Sequence, residues 1–125
     1  MLDDAQVSVL PAKSSELFRC QVAPEDDVLR ICLVGELDMN SVSRLDPDLT
    51  EARASGWRQF VVDLSRLTFM DSSGVHLMLR WNAGANADGG YTLAIIPGPP
   101  VVQRVFELAG VTELLPFVRH GGSRA

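Results

Sequence analysis

The sequence predicts a small α/β domain: a mixed β-sheet that begins with an antiparallel hairpin and has helices packed against it. An alternating apolar segment, the turn-forming Pro24-Glu25-Asp26-Asp27 and a second alternating segment are typical of a hairpin. Helical patterns then alternate with short apolar runs, so the later strands need crossover connections and pair in parallel. A length of 125 residues suits one such domain.

The first half of the chain supplies the hairpin and one helix. The second hairpin strand is expected to end at Val34, and Gly56 is the predicted stop of the helix. The apolar positions that define these elements are Phe18, Cys20, Val22, Leu29, Ile31 and Leu33 in the strands, and Val42, Leu45, Leu49 and Ala52 in the helix.

The second half repeats a strand-helix order. Residues 60–64 predict a buried parallel strand, a helix begins beside Ser72-Ser73-Gly74 and ends before Asp88, and residues 91–96 predict the next strand. The prolines of segment 97–100 form a turn that starts a last helix, which Gly110 caps. A short strand is expected near residues 117–118.

Composition excludes several classes of function. With 11 basic and 16 acidic residues, the net charge is −5, which disfavours nucleic acid and anionic membrane surfaces as partners. No apolar run is long enough to span a bilayer and no secretory signal begins the chain, so we expect a cytoplasmic protein without membrane insertion. Cys20 and Cys32 lack metal-site spacing, and His76 and His120 are the only histidines; we expect free buried thiols and no cofactor.

Segment 69–74, Phe-Met-Asp-Ser-Ser-Gly, carries the most information about function. One interpretation is helix capping, because Asp and Ser side chains accept hydrogen bonds from the unpaired amides of a first turn. Another is an anion site, since a helix start favours negative charge and would tolerate an added phosphate. A hydrolase built on Ser72 and His76 is disfavoured because the pair lacks an orienting carboxylate, and we expect no enzymatic activity.

Three segments, residues 35–38 (Gly-Glu-Leu-Asp), 61–74 and 102–111, resemble the STAS domain, in particular that of the stand-alone bacterial anti-sigma factor antagonists. The resemblance implies an unphosphorylated form that binds an anti-sigma factor serine kinase and so frees a sigma factor. Phosphorylation reverses the binding, and a serine phosphatase would restore it. It also implies a STAS domain over residues 17–119, between an N-terminal arm or edge strand (1–16) and a flexible tail (120–125).

The resemblance places the phosphoserine at Ser72, with Ser73 as the second candidate. Asp38 falls on the acidic position beside the phosphosite, and Asp71 and Gly74 are expected to shape the loop and helix start. The full partner-binding set that it implies is Glu36, Asp38, Asn40, Ser41, Asp71, Ser72, Ser73, Gly74, Val75 and His76. The free protein is expected to be a monomer, because the apolar positions assigned to the helices and strands are all used in a single core.

Pro47 departs from the family pattern. Proline inside a helix costs about 3 kcal/mol or more, so we expect the first helix to begin at Pro47 with Asp46 as its cap. Residues 40–45 would then form a loop on the binding surface. Two alternative functions stay open: an adaptor subunit of a transporter or signalling assembly, without phospho-switching, and nucleotide binding at the helix start, which the lack of a phosphate loop disfavours.

Overall fold

The computed structural model describes residues 17–88 and 90–118, and the structural statements below concern these residues. The predicted arm (1–16) and tail (120–125) lie outside them. Along the chain, the elements are β1 (Phe18–Glu25), β2 (Val28–Leu37), α1 (Met39–Ala54), β3 (Gln59–Met70), α2 (Ser72–Asp88), β4 (Thr92–Ile96), α3 (Pro100–Ala109) and a 3-10 helix (Thr112–Leu114).

The sheet has the order β1-β2-β3-β4. β1 pairs with β2 in antiparallel fashion, whereas β3 lies parallel to both β2 and β4, which confirms the predicted mixed sheet. Helix α2 packs between α1 and α3, so the three helices lie side by side. The core between helices and sheet is apolar, and its fully buried members include Ile31, Leu33, Leu37, Leu45, Leu64, Leu77, Met78, Val102 and Phe106.

The hairpin forms as predicted, but β2 is longer than expected. The turn places Asp26 in the left-handed region, with a φ of 59° that aspartate tolerates better than most residues. β2 passes the expected end at Val34 and continues to Leu37. Gly35 makes this possible: its φ is +101°, and a Cβ there would collide with the carbonyl oxygen of Leu17.

The prediction that α1 begins at Pro47 is wrong. The helix begins at Met39, Asp38 is its N-cap, and Pro47 lies inside it. Buried Leu45 and Leu49 hold the helix against the core on both sides of the proline, which is itself exposed. Core packing therefore outweighs the hydrogen bond that Pro47 cannot donate. Residues 40–45 form the first turns of this helix and are not a loop.

The strand before the Ser-Ser-Gly segment is also longer than predicted. β3 runs to Met70, well past the expected end at residue 64, and α2 begins at Ser72. Asp71 alone separates strand from helix, so strand and helix meet with almost no loop.

At the C-terminal end, the cap is confirmed and the last strand is not. Gly110 has the left-handed φ of 73° expected of a C-terminal cap. In place of a strand at residues 117–118, the structure shows an isolated bridge between Ile95 and Phe117. Val118 is held by a hydrogen bond from its N–H to the Ile95 carbonyl, 2.9 Å from N to O.

Candidate functional site: a paired aspartate cap beside an exposed serine

The first half of the site is the junction between β2 and α1. Asp38 follows the last residue of β2 in an extended conformation, and its Oδ1 accepts a hydrogen bond from the Ser41 backbone N–H, 3.0 Å from N to O. This is N-capping, which satisfies an amide that the helix leaves unpaired. The Ser41 hydroxyl donates to the Glu36 carbonyl oxygen at 2.7 Å and ties the helix start back to the strand.

The second half is the junction between β3 and α2, and it has the same design. Asp71 Oδ1 accepts from the Ser73 N–H at 2.9 Å, and the Asp71 carbonyl accepts from the Gly74 N–H at 3.0 Å. The Asp71 N–H donates to the Leu37 carbonyl at 3.2 Å. These bonds fix the first turn of α2 and join it to the end of β2.

Sheet register brings the two halves together. Leu37 and Met70 are partners across the parallel strands β2 and β3, and each is followed directly by one of the capping aspartates. Asp38 and Asp71 therefore leave the same sheet edge from neighbouring strands. The sequence prediction that Asp38 lies beside the Ser72 segment is consistent with this register, and loop aspartates serve here as caps.

Ser72 and Ser73 differ in accessibility. Ser72 is exposed at the first position of α2, whereas Ser73 is half-buried and its N–H is bonded to Asp71. The Asp71 carboxylate already accepts from the Ser73 amide, so an anion at this helix start would lie beside a carboxylate that occupies one of the first-turn amides. Ser72 is the more accessible of the two serines.

Gly74 allows α2 to approach the strand ends closely. A Cβ at this position would lie 2.6 Å from Met70 Cγ and 3.0 Å from Leu37 Cδ2. Both neighbours belong to the buried core, so they cannot move aside freely. The glycine is thus needed for close packing at the register pair that aligns the two aspartates.

The predicted partner-binding residues fall into three groups by exposure. Glu36, Asp38, Asp71 and Ser73 are half-buried, and Asn40, Ser72 and His76 are exposed. Ser41 and Val75 are only 7% and 2% exposed, and Gly74 is also buried, so these three residues lie beneath the exposed members of the set.

Two exposed apolar side chains beside the site were missed in the sequence. Met39, next to Asp38, is 70% exposed, and Phe69, the register partner of Glu36, is 44% exposed. Exposed large apolar side chains near polar groups are common at protein-binding surfaces. The sequence signal for Met39 is the N-cap residue Asp38 directly before it, which places Met39 in the first turn of α1.

Neither thiol is an activated nucleophile. Burial, with the nearby Asp48 carboxylate, raises the pKa of the Cys20 thiol to about 12, and burial followed by the Asp63 charge raises the pKa of the half-buried Cys32 thiol. Both thiols stay protonated at neutral pH. Within residues 17–88 and 90–118, no group of three or more His, Cys, Asp or Glu side chains could hold a metal, and no helix is long and apolar enough to cross a membrane.

Comparison with known proteins gives consistent results. The family model described as "Mlab, STAS domain" matches residues 20–116. The anti-sigma F factor antagonist of Lysinibacillus sphaericus is 32% identical over 95 residues, which cover 75% of this chain and 80% of the relative. The anti-sigma-B factor antagonist of Staphylococcus aureus is 28% identical over 95 residues, covering 76% and 87%.

A solved structure shares the fold. The anti-sigma factor antagonist SpoIIAA, in its unphosphorylated form, superposes with a TM-score of 0.66 at 27% identity, over 81% of this chain and 89% of its own. SpoIIAA has also been solved in a phosphorylated form, with a TM-score of 0.61 at 26% identity, covering 81% and 92%. The fold, the matched residues and these relatives together show that this chain is a STAS domain and belongs to the family of the anti-sigma factor antagonists.

Proposed function

We propose that this protein is a phospho-controlled anti-sigma factor antagonist. Its unphosphorylated form binds an anti-sigma factor serine kinase and frees the sigma factor, and phosphorylation of Ser72 ends that binding. The observation that carries the proposal is the exposure of Ser72 at the first position of α2, next to Asp71 and at the sheet edge that also holds Asp38. The existence of SpoIIAA in unphosphorylated and phosphorylated forms supports it.

The binding surface is proposed to combine charge with apolar contact. Glu36, Asp38 and Asp71 supply carboxylates, which favour a partner that presents Arg or Lys. Met39 and Phe69 supply apolar area within two residues of the capping aspartates. Hydrogen bonds hold the backbone of both helix starts, so the surface is formed before the partner arrives.

Electrostatics gives the switch its direction. A phosphoserine adds about −1.5 to −2 charges at neutral pH. At a separation of about 5 Å from a carboxylate and an effective dielectric constant near 20, repulsion is roughly 3 kcal/mol per unit charge. An exposed helix start stabilises a negative charge by only about 0.3 to 1 kcal/mol, and the Asp71 carboxylate already accepts from the Ser73 amide of that turn. Negative charge therefore accumulates where the partner must desolvate the surface, and binding weakens.

The proposal assigns the phosphate to Ser72 and not to Ser73. The purified protein would be incubated with ATP and each anti-sigma factor serine kinase of its source organism, and the product mapped by fragmentation mass spectrometry. One phosphate at residue 72 is expected, absent from Ser72→Ala and retained in Ser73→Ala. Modification at residue 73, or at neither serine with every kinase, would refute the assignment.

The adaptor alternative makes the opposite prediction for the same variants. An adaptor that uses the Asp-Ser-Ser segment only as a helix cap would bind its partner equally well before and after treatment with kinase and ATP. Ser72→Asp would then bind as tightly as the unmodified protein, whereas the proposed switch requires that it bind more weakly.

A further inference from the structure

His76 and Ser72 lie on the same exposed face of α2, one helical turn apart. Residues four positions apart on a helix have Cβ atoms about 5 to 6 Å from each other. Among residues 17–88 and 90–118, the His76 imidazole makes no hydrogen bond or ion pair. Helical side chains lean toward the N-terminus of their helix, so the imidazole extends over the turn that begins with Ser72. It can therefore contact a group attached to the Ser72 hydroxyl.

A phosphate on Ser72 needs a counter-charge beyond what the start of α2 supplies. The Ser73 amide of the first turn already donates to the Asp71 carboxylate, 2.9 Å from N to O. The carboxylates of Asp71, Asp38 and Glu36 all belong to the end of the sheet from which α2 starts. A phosphate added there is repelled by these charges. A cation within reach of residue 72 would offset part of that repulsion.

His76 is the basic side chain best placed for this role in the early turns of the two neighbouring helices. Residues 39–46 and 72–80 contain only two others, Arg44 and Arg80. Arg80 lies one further turn along α2, and its charge is already offset because its Nη2 lies 2.6 Å from Asp46 Oδ2. This ion pair shows that Asp46 faces α2. Arg44 is about 200° around α1 from Asp46 and so faces away from α2.

We propose that His76 is the positioning residue for a phosphate on Ser72: its protonated imidazole donates a hydrogen bond to a phosphate oxygen and directs the phosphate along α2, away from Asp71. This inference rests on the proposed assignment of the phosphate to Ser72. Histidine carries a positive charge in mildly acidic solution, where phosphoserine is still negatively charged. The phosphate adds about −1.5 to −2 charges at neutral pH, and one imidazolium offsets only part of them. The surface therefore still becomes more negative, as the switch requires.

Phosphoserine incorporated at residue 72 during translation gives the modified protein without a kinase. The result is thus independent of the kinase assay, which tests the proposed function. The phosphorus NMR signal would be followed against pH in the phosphorylated forms of the parent protein, His76→Gln and His76→Lys. A neighbouring cation favours the phosphate dianion, so the signal should titrate at lower pH in the parent and in His76→Lys than in His76→Gln. The same titration midpoint in all three proteins would overturn the proposal.

Urea unfolding at pH 6.0 gives a second readout with a matched control. The phosphate should raise the unfolding equilibrium constant about two- to fivefold more in His76→Gln than in the parent protein, and His76→Lys should remove this difference. The control is Ala83→Lys in the His76→Gln background. Ala83 is also exposed on α2 but lies about 16 Å along the helix from Ser72, so the new lysine should restore neither readout. Rescue by Ala83→Lys as complete as that by His76→Lys would contradict a specific pair.

Discussion

The carboxylates of Asp38 and Asp71 cap two neighbouring helices from the same sheet edge. Each follows one member of the register pair Leu37 and Met70, and each accepts a hydrogen bond from a backbone amide within three residues. Each of the two side chains therefore caps a helix and also contributes a negative charge to the surface. Variants can separate these roles because asparagine caps helices about as well as aspartate but carries no charge.

Substitutions of Asp38 can separate its role as a helix cap from the role of its negative charge. Asp38→Ala should lower the free energy of unfolding by about 1 kcal/mol because the Ser41 amide loses its acceptor, and Asp38→Asn should leave stability nearly unchanged. Both should weaken binding to the kinase. Urea unfolding and calorimetric titration measure the two effects. Full affinity in a folded Asp38→Asn protein would show that the charge has no role in binding.

Gly74 tests whether close packing positions the site. Gly74→Ala should destabilise the fold by about 1 to 2 kcal/mol, because the new Cβ meets buried Met70 at under 3 Å. In a Met70→Ala background the two closest contacts are removed and only Leu37 Cδ2, at 3.0 Å, remains, so the same change should cost less. A double-mutant cycle by chemical unfolding gives the comparison. Equal costs in the two backgrounds would disprove the packing explanation.

Cys20 should make stability fall in alkaline solution. Burial raises its pKa from 9.0 to about 12, so above pH 9 the unfolded thiol ionises while the folded thiol keeps its proton. Proton release then favours the unfolded state, and stability is lost between about pH 9 and 12 by up to roughly 1.4 kcal/mol per pH unit. Unfolding at pH 8 to 10.5 should show a steeper decline for the unmodified protein than for Cys20→Ala. Parallel declines would refute this role.

The elements with strong local signals could be predicted from the sequence. The hairpin turn, the parallel strand at residues 60–64 and the Gly110 cap all depend on nearby residues. The extension of β3 to Met70 could not be predicted, because exposed Ser65, Arg66, Thr68 and Phe69 break the apolar pattern and only pairing with β2 keeps them in the strand.

The sequence predicted a candidate site that combines Asp38 with the Ser72 segment, and its role in partner binding stays a prediction. Motif resemblance brought Asp38 and the Ser72 segment together, and the register agrees. The resemblance could not distinguish exposed residues from buried ones, because the burial of Ser41 and Val75 depends on packing with the rest of the fold. The predicted start of α1 at Pro47 was wrong because the cost of an interior proline can be read from the sequence nearby. The compensating burial of Leu45 and Leu49 depends on distant parts of the chain.

The most direct test of the proposed switch is the affinity of the serine kinase for this protein before and after phosphorylation of Ser72. Calorimetric titration should give a dissociation constant at least a hundredfold higher for the phosphorylated form, which corresponds to about 2.7 kcal/mol. The unmodified protein and Ser73→Ala should bind alike. Equal dissociation constants for the two forms, with residue 72 fully phosphorylated by mass spectrometry, would contradict the phospho-controlled binding proposed for this surface.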